Sequence, residues 1–143
     1  MTLHLKKLCV GANSVDDLIT WQRERSFEGP GGLPVVRHVT RNRPCRADEL
    51  LDGGSLYWII KGVILARNPI LALEHIEDDQ GKTRCGIILK AGPVFTRPRR
   101  HRPFQGWRYY DGEAAPADFH GSLVDGHSLP AELTAELEGL GLI

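Results

Sequence analysis

Three features of this 143-residue chain predict a single small α+β domain. Short apolar, partly β-branched runs of strand length recur between residues 35 and 96, bounded by Gly, Pro, Asn and Asp. Two other segments, one after Ser14 and one after Ser128, carry apolar residues at helical spacing. Hydrophobic residues at 41% and charged residues at 25% are ordinary for a globular domain, and one core suffices at this length.

The same composition sets the environment. The longest apolar runs, Leu56–Ile60 and Val63–Ala66, are broken by Lys61 and fall far short of the ~20 residues a membrane-spanning helix needs. In MTLHLKKLCVG the lysines sit inside a short apolar pattern, unlike a secretory signal, so the expected location is the cytoplasm and no membrane partner is expected. Cys9, Cys45 and Cys85 are odd in number and widely spaced, which predicts reduced thiols.

Taken in order, Leu3–Val10 reads as a first strand whose alternation slips at Lys6-Lys7, where a bulge would fit. Ser14 opens a capping pattern, Ser-x-x-Asp, and Val15, Leu18, Ile19 and Gln22 follow at helical spacing up to the turn Gly29-Pro30-Gly31-Gly32. Val35–Thr40 suits a strand leading into Arg41-Asn42-Arg43-Pro44. Arg46–Leu51 reads as one or two helical turns stopped by Asp52-Gly53-Gly54.

Leu56–Arg67 and Ile70–Ile76 are strand-length runs separated by Asn68-Pro69. With the turn Asp78–Gly81 and the run Thr83–Lys90 they predict a β-hairpin over Ile70–Lys90. Val94–Thr96 is a short strand, after which Pro98 and Pro103 predict a fixed loop through Arg97–Tyr110. Residues 111–125 read as an irregular connection. Ser128 then caps a terminal helix with Leu129, Leu133, Leu137 and Leu140 on one face and Glu132, Glu136 and Glu138 on the other. The predicted organisation is a domain over residues 1–118 and an acidic extension over 119–143.

The zero net charge hides a segregation: residues 1–79 sum to −1, residues 80–110 to +8 with no acid, and residues 111–143 to −7 with no Lys or Arg. The middle block therefore calls for an anionic partner or for neutralisation by the tail. Its most distinctive part is RPRRHRPFQGWRYY, Arg97–Tyr110, where guanidinium groups alternate with rings. Guanidinium forks suit phosphate oxygens and aromatic faces suit bases, whereas the bland alternative is a solvated basic face. Phe104 and Trp107 read as core packing, with Tyr109 or Tyr110 the better candidate for exposure.

A second polar set is His38, Thr40, Arg41, Arg43 and Cys45, in which Cys45 beside Arg43 and Arg46 is a candidate nucleophile with His38 or His101 as base. No family spacing surrounds it. His75, Cys85, His120 and His127 lack metal-ligand spacing, and Gly29–Gly32 lacks the Lys-Ser/Thr of a phosphate loop, so neither a metal nor a cofactor is expected.

The blocks RADELLDGGSLYWIIKG, Arg46–Gly62, and RPFQGWRY, Arg102–Tyr109, resemble an uncharacterised alphaproteobacterial family of short proteins, a domain of unknown function. That resemblance runs from about Leu3 to about Asp118 and brings no catalytic residues. More distantly, the order of elements resembles the PUA-like barrels of EVE and ASCH type. It sets Leu3–Val10, Ser14–Arg25, Arg37–Arg46, Ala47–Leu51, Gly54–Ile60 and Gly62–Leu73 in sequence. The resemblance implies a small mixed β-barrel with flanking short helices that recognises RNA or a modified base in a cleft. Asp52-Gly53-Gly54-Ser55 departs from the usual Gly-Asp before the central strand.

The function expected is a non-enzymatic nucleic-acid-binding module for RNA or single-stranded DNA. Arg37, Arg41 and Arg43 would line one side of a cleft and Arg97, Arg99, Arg100 and Arg102 the other, with Tyr57, Trp58 or Trp107 stacking on a base. Two other classes compete: a small enzyme or binder that clamps a phosphorylated or carboxylated metabolite, and a protein-interaction domain that forms a homodimer through its terminal helix.

Overall fold

The structure, a computed structural model, describes residues 2–119. The expected terminal helix, and any dimer contact made through it, lie outside these residues. What is described is mostly β-sheet with two short α-helices, and none of its helices is long and apolar enough to cross a membrane.

Strand β1, Leu3–Leu8, runs parallel to β4, Ser55–Ile60, and antiparallel to β8, Trp107–Asp111. The slip expected at Lys6-Lys7 does not occur, because the register with β4 is unbroken from Leu5↔Leu56 to Leu8↔Ile59. Both faces of β1 are covered. Leu3 and Leu5 join the main core, while Leu8 packs on a second cluster of Tyr57, Ile59, Ile64 and Tyr110 across the sheet. An apolar side chain on either face is therefore satisfied without a bulge.

Helix α1, Val15–Arg25, starts as its sequence dictates: the Asp17 N–H donates to Ser14 Oγ at 3.4 Å, and the Asp17 carboxylate accepts from the Asn13 N–H at 2.8 Å. Val15, Leu18 and Gln22 are its buried face. It ends into a two-residue strand β2, Phe27–Glu28, which pairs with β3, Pro34–Thr40. The single turn of helix α2, Ala47–Leu50, leads to Gly54, where a Cβ would stand 2.3 Å from the Leu50 carbonyl oxygen and 2.4 Å from that of Leu3. Only glycine permits that approach.

The break between the next two strands falls at Lys61-Gly62, not at Asn68-Pro69. Both turn residues have positive φ, 49° and 75°, the two-residue turn that matches strand twist. Strand β5 then runs without interruption over Val63–Glu77. Pro69 is tolerated because it sits where β5 exchanges partners: β4 pairs its first half and β6, Thr83–Lys90, its second. The hairpin expected over Ile70–Lys90 forms, with the Asp78 carboxylate accepting the Gln80 and Lys82 N–H groups in the turn.

Strand β7, Val94–Arg100, also departs from expectation, since Arg97–Arg100 is strand and not loop. Its ladder with β5 shifts register between Ile64 and Ala66, and Pro98 lies in that irregular stretch. The loop shrinks to residues 101–106. The hydrogen-bonded path runs β2-β3-β6-β5-β4-β1-β8 as an open sheet, with β7 beside β5, and Asp118 bridges to Thr96 on β7.

One buried polar cluster crosses the core. Asn68, fully buried, accepts at Oδ1 from Gln22 Nε2 at 2.7 Å and from Trp58 Nε1 at 2.9 Å. Its Nδ2 donates to Gln22 Oε1 at 3.0 Å and to the Lys90 carbonyl at 2.9 Å, and Gln22 Oε1 also accepts the Gly92 N–H. Replacing Asn68 with Leu strands Gln22 Nε2 and Trp58 Nε1 in a dry interior and takes a donor from the part-buried Lys90 carbonyl, while Gln22 Oε1 keeps the Gly92 N–H; each stranded group costs about 1–3 kcal/mol when unrelieved. Relaxation recovers part of this, so Asn68→Leu is expected to lower unfolding free energy by about 3–4 kcal/mol, read from urea denaturation.

Candidate functional site

The seam between α1 and the sheet holds a pocket of ≈ 270 Å³. The loop Cys9–Ala12, anchored by a 2.9 Å bond from the Cys9 N–H to the Ile59 carbonyl, forms one wall. Asp17, Leu18 and Trp21 of α1 form another, brought to one face by their i, i+1 and i+4 spacing. His38 of β3 and Trp58 of β4 close the floor, each on the inward side of its strand with Val36 and Leu56.

Three rings define its shape. Trp21 and Trp58 centroids are 6.1 Å apart at 74°, His38 and Trp58 5.1 Å at 83°, and Trp21 and His38 6.3 Å at 82°. Each pair meets edge to face, the arrangement ring quadrupoles favour. Trp58 is only 2% exposed, and its bond to Asn68 fixes the ring in place.

His38 and Cys9 are held uncharged. Burial, with a smaller push from the Lys7 ammonium, lowers the His38 pKa to about 4, and its buried Nε2 has no hydrogen-bond partner among the described residues. Burial, reinforced by Asp17 and partly offset by Lys7, pushes the Cys9 thiol up to about 11. At neutral pH the pocket therefore offers a neutral imidazole and a protonated thiol, a combination suited to holding a flat ligand and poor at nucleophilic attack.

Of the nucleic-acid contacts expected from sequence, Trp58 alone lines this pocket, and His38, the candidate base, lines it too. Arg37 pairs with Glu74 at 3.0 Å and lies over the Phe27 ring, and Arg43 reaches the Leu73 carbonyl at 3.5 Å. Arg41 is exposed at the end of β3. Arg97 lies over Phe119, Arg99 donates to the Ala114 carbonyl, and Arg100 and Arg102 are exposed.

The two arginine groups stand at different positions along the sheet. Arg37 stands opposite Ile88, itself opposite Ala72, whereas Arg99 stands opposite Ile64. Eight residues of β5 separate those positions, roughly 27 Å of strand at ~3.3 Å per residue.

Tyr57 is buried with its ring against His4 and Tyr110, so it has no free face for a base. Trp107 packs on Tyr109 and donates from Nε1 to the Asn42 carbonyl at 3.0 Å. Trp107 packs against the main core and Phe104 against the opposite cluster, so the two do not form one plug.

Cys45 is exposed, and its Sγ lies 3.5 Å from the Tyr109 hydroxyl, with His38 enclosed between tryptophans elsewhere. The proposed nucleophile and base are not hydrogen-bonded. Among the described residues no group of three or more His, Cys, Asp or Glu is placed to hold a metal. Asp118, the last residue of the expected domain, makes a two-pronged pair with Arg67 at 2.8 and 2.7 Å.

The pocket residues that sequence reasoning passed over are Trp21, Asp17 and the Cys9–Ala12 loop. The i, i+4 placement of Asp17 and Trp21 on a capped helix was the available signal.

A family model described as "Protein of unknown function (DUF1489)" matches residues 5–143, which takes in the terminal stretch as well as the domain. No curated protein and no solved structure matches the chain.

The enclosed His38 makes stability depend on pH. Its folded pKa of about 4 lies below the ordinary 6.5, so the unfolded chain binds the extra proton first and stability falls as pH drops through that window. Between pH 7 and pH 4 the loss attributable to His38 is roughly 3 kcal/mol. Urea denaturation at both pH values should show this loss in the wild type and not in His38→Gln.

Proposed function

We propose that this chain, which belongs to the DUF1489 family of proteins of unknown function, is a non-enzymatic nucleic-acid-binding module that takes one unstacked base of RNA or single-stranded DNA into the pocket between α1 and the sheet. The observation that carries the reading is the box of Trp21, His38 and Trp58 around ≈ 270 Å³, a volume suited to a single base. Rings of this kind hold flat heteroaromatic groups by stacking and edge contacts, and a neutral imidazole adds a hydrogen-bonding edge without demanding a charged ligand.

The finer fold reading belongs here too. The order of strand, capped helix, strand, helical turn and two long hairpin-linked strands supports a PUA-like barrel, with the bridge of Asp118 to Thr96 drawing the chain after β8 back to β7. In that reading the basic residues contribute attraction to the phosphate chain, and the aromatic pocket selects the base.

Trp21 is the test, because it is only partly buried while Trp58 belongs to the core. Titration of the full chain with short RNA and single-stranded DNA, plain and base-methylated, should give binding that Trp21→Ala weakens about 5- to 150-fold, the ~1–3 kcal/mol of one base stack. Trp21→Phe should recover most of it. Equal affinity of Trp21→Ala and wild type across the panel would remove the pocket from the function.

A further inference from the structure

We infer that the face of the sheet opposite the aromatic pocket carries a separate phosphate-binding site built on Lys6, Arg108 and His101. This goes beyond the base pocket. The two lysines of β1 divide between the faces: the Lys7 charge acts on His38 and Cys9, and Lys6 lies with Tyr110 and Phe104 on the other side.

Lys6 and Arg108 are direct partners in the β1–β8 ladder, so two cations stand opposite each other across one strand pair. That arrangement costs stability and packing alone does not account for it. None of the ion pairs among the described residues involves either. Rings take the place of carboxylates: the Lys6 ammonium is 4.6 Å from the Tyr110 centroid and 6.0 Å from that of Phe104, and the Arg108 guanidinium is 4.4 Å from Phe104. Ring faces soften the repulsion and leave N–H donors of both groups unused.

His101 completes the arrangement. Its Nδ1 is 2.8 Å from the Arg102 carbonyl, which only accepts, so Nδ1 carries the proton and Nε2 accepts from Lys6 Nζ at 2.9 Å. One ammonium hydrogen is thereby committed and two remain. A planar guanidinium fork beside a held ammonium is the donor set that a tetrahedral phosphate fills, and its charge removes the conflict between the two cations. The ligand class is a phosphate ester oxyanion, carried either on a nucleic-acid chain or on a free phosphorylated compound.

Calorimetric titration of the full chain with inorganic pyrophosphate and, separately, with a short single-stranded oligonucleotide tests the site. Lys6→Gln and Arg108→Gln should each weaken pyrophosphate binding at least tenfold, with Lys6→Arg close to wild type. Lys82→Gln, in the exposed turn before β6, and Trp21→Ala should leave it unchanged. If the phosphate is that of a chain, each glutamine variant also flattens the salt dependence of oligonucleotide binding by about one unit of log K against log salt. A response confined to pyrophosphate points to a free phosphorylated compound. The proposal is overturned if neither probe responds to both substitutions in correctly folded protein, or if Lys82→Gln has the same effect. Loss of base binding in Trp21→Ala bears on the pocket alone, so the two readings fail separately.

Discussion

The side-chain amide of Asn68 is the constraint on which the pocket side of the molecule depends. It sits in the middle of β5, and its bonds reach α1 through Gln22, β4 through Trp58 and β6 through the Lys90 carbonyl. Both lone-pair directions of its oxygen and both hydrogens of its nitrogen are used, so a buried amide that would otherwise be a liability becomes a joint with a single geometry. The Trp58 ring orientation, and with it the edge-to-face box around the pocket, follows from that joint. Apolar contacts alone leave such a ring free to rotate among several packings.

The sheet formed by β1, β4 and β8 then acts as a partition. Every residue of β4 is buried, so the strand has no solvent face and each side of the sheet has its own cluster. On one side lie the tryptophans, a neutral histidine and a protonated thiol. On the other lie Lys6, His101 and Arg108 laid over aromatic rings. Placing the two chemistries on opposite faces keeps cationic charge out of a pocket whose low polarity holds His38 neutral, with the ammonium of Lys7 at its edge the one lysine close enough to act on it.

Much of the local structure was legible in the sequence because its causes are local. The Ser14–Asp17 cap, the turn of Asp78 and the hairpin that follows depend on bonds between residues two to four apart. Two of the misreadings share one physical origin, which is that a strand's tolerance of proline is decided by its neighbours. Asn68-Pro69 looks like a break, yet Pro69 falls where β5 changes partner, and Pro98 falls where the β5–β7 ladder slips. The Lys6-Lys7 pair looks like a slip in alternation only if one face of β1 is taken to be solvent.

The sequence by itself determined that the chain is one small domain with several strand-length runs, where α1 begins, and that positive charge gathers in residues 80–110. It also marked Tyr57, Trp58 and Trp107 as the candidates for contact with a base. Tertiary structure alone decided which rings meet. Trp21, His38 and Trp58 come from a helix and two strands that are not neighbours in the sheet, and no spacing rule links them. The arginine block, contiguous along the chain, is divided among a strand facing the 117–119 segment, a loop and a second strand. The reason is periodicity: consecutive residues of a strand point to opposite faces, so nearness in sequence separates side chains that pairing across the sheet alone can bring together.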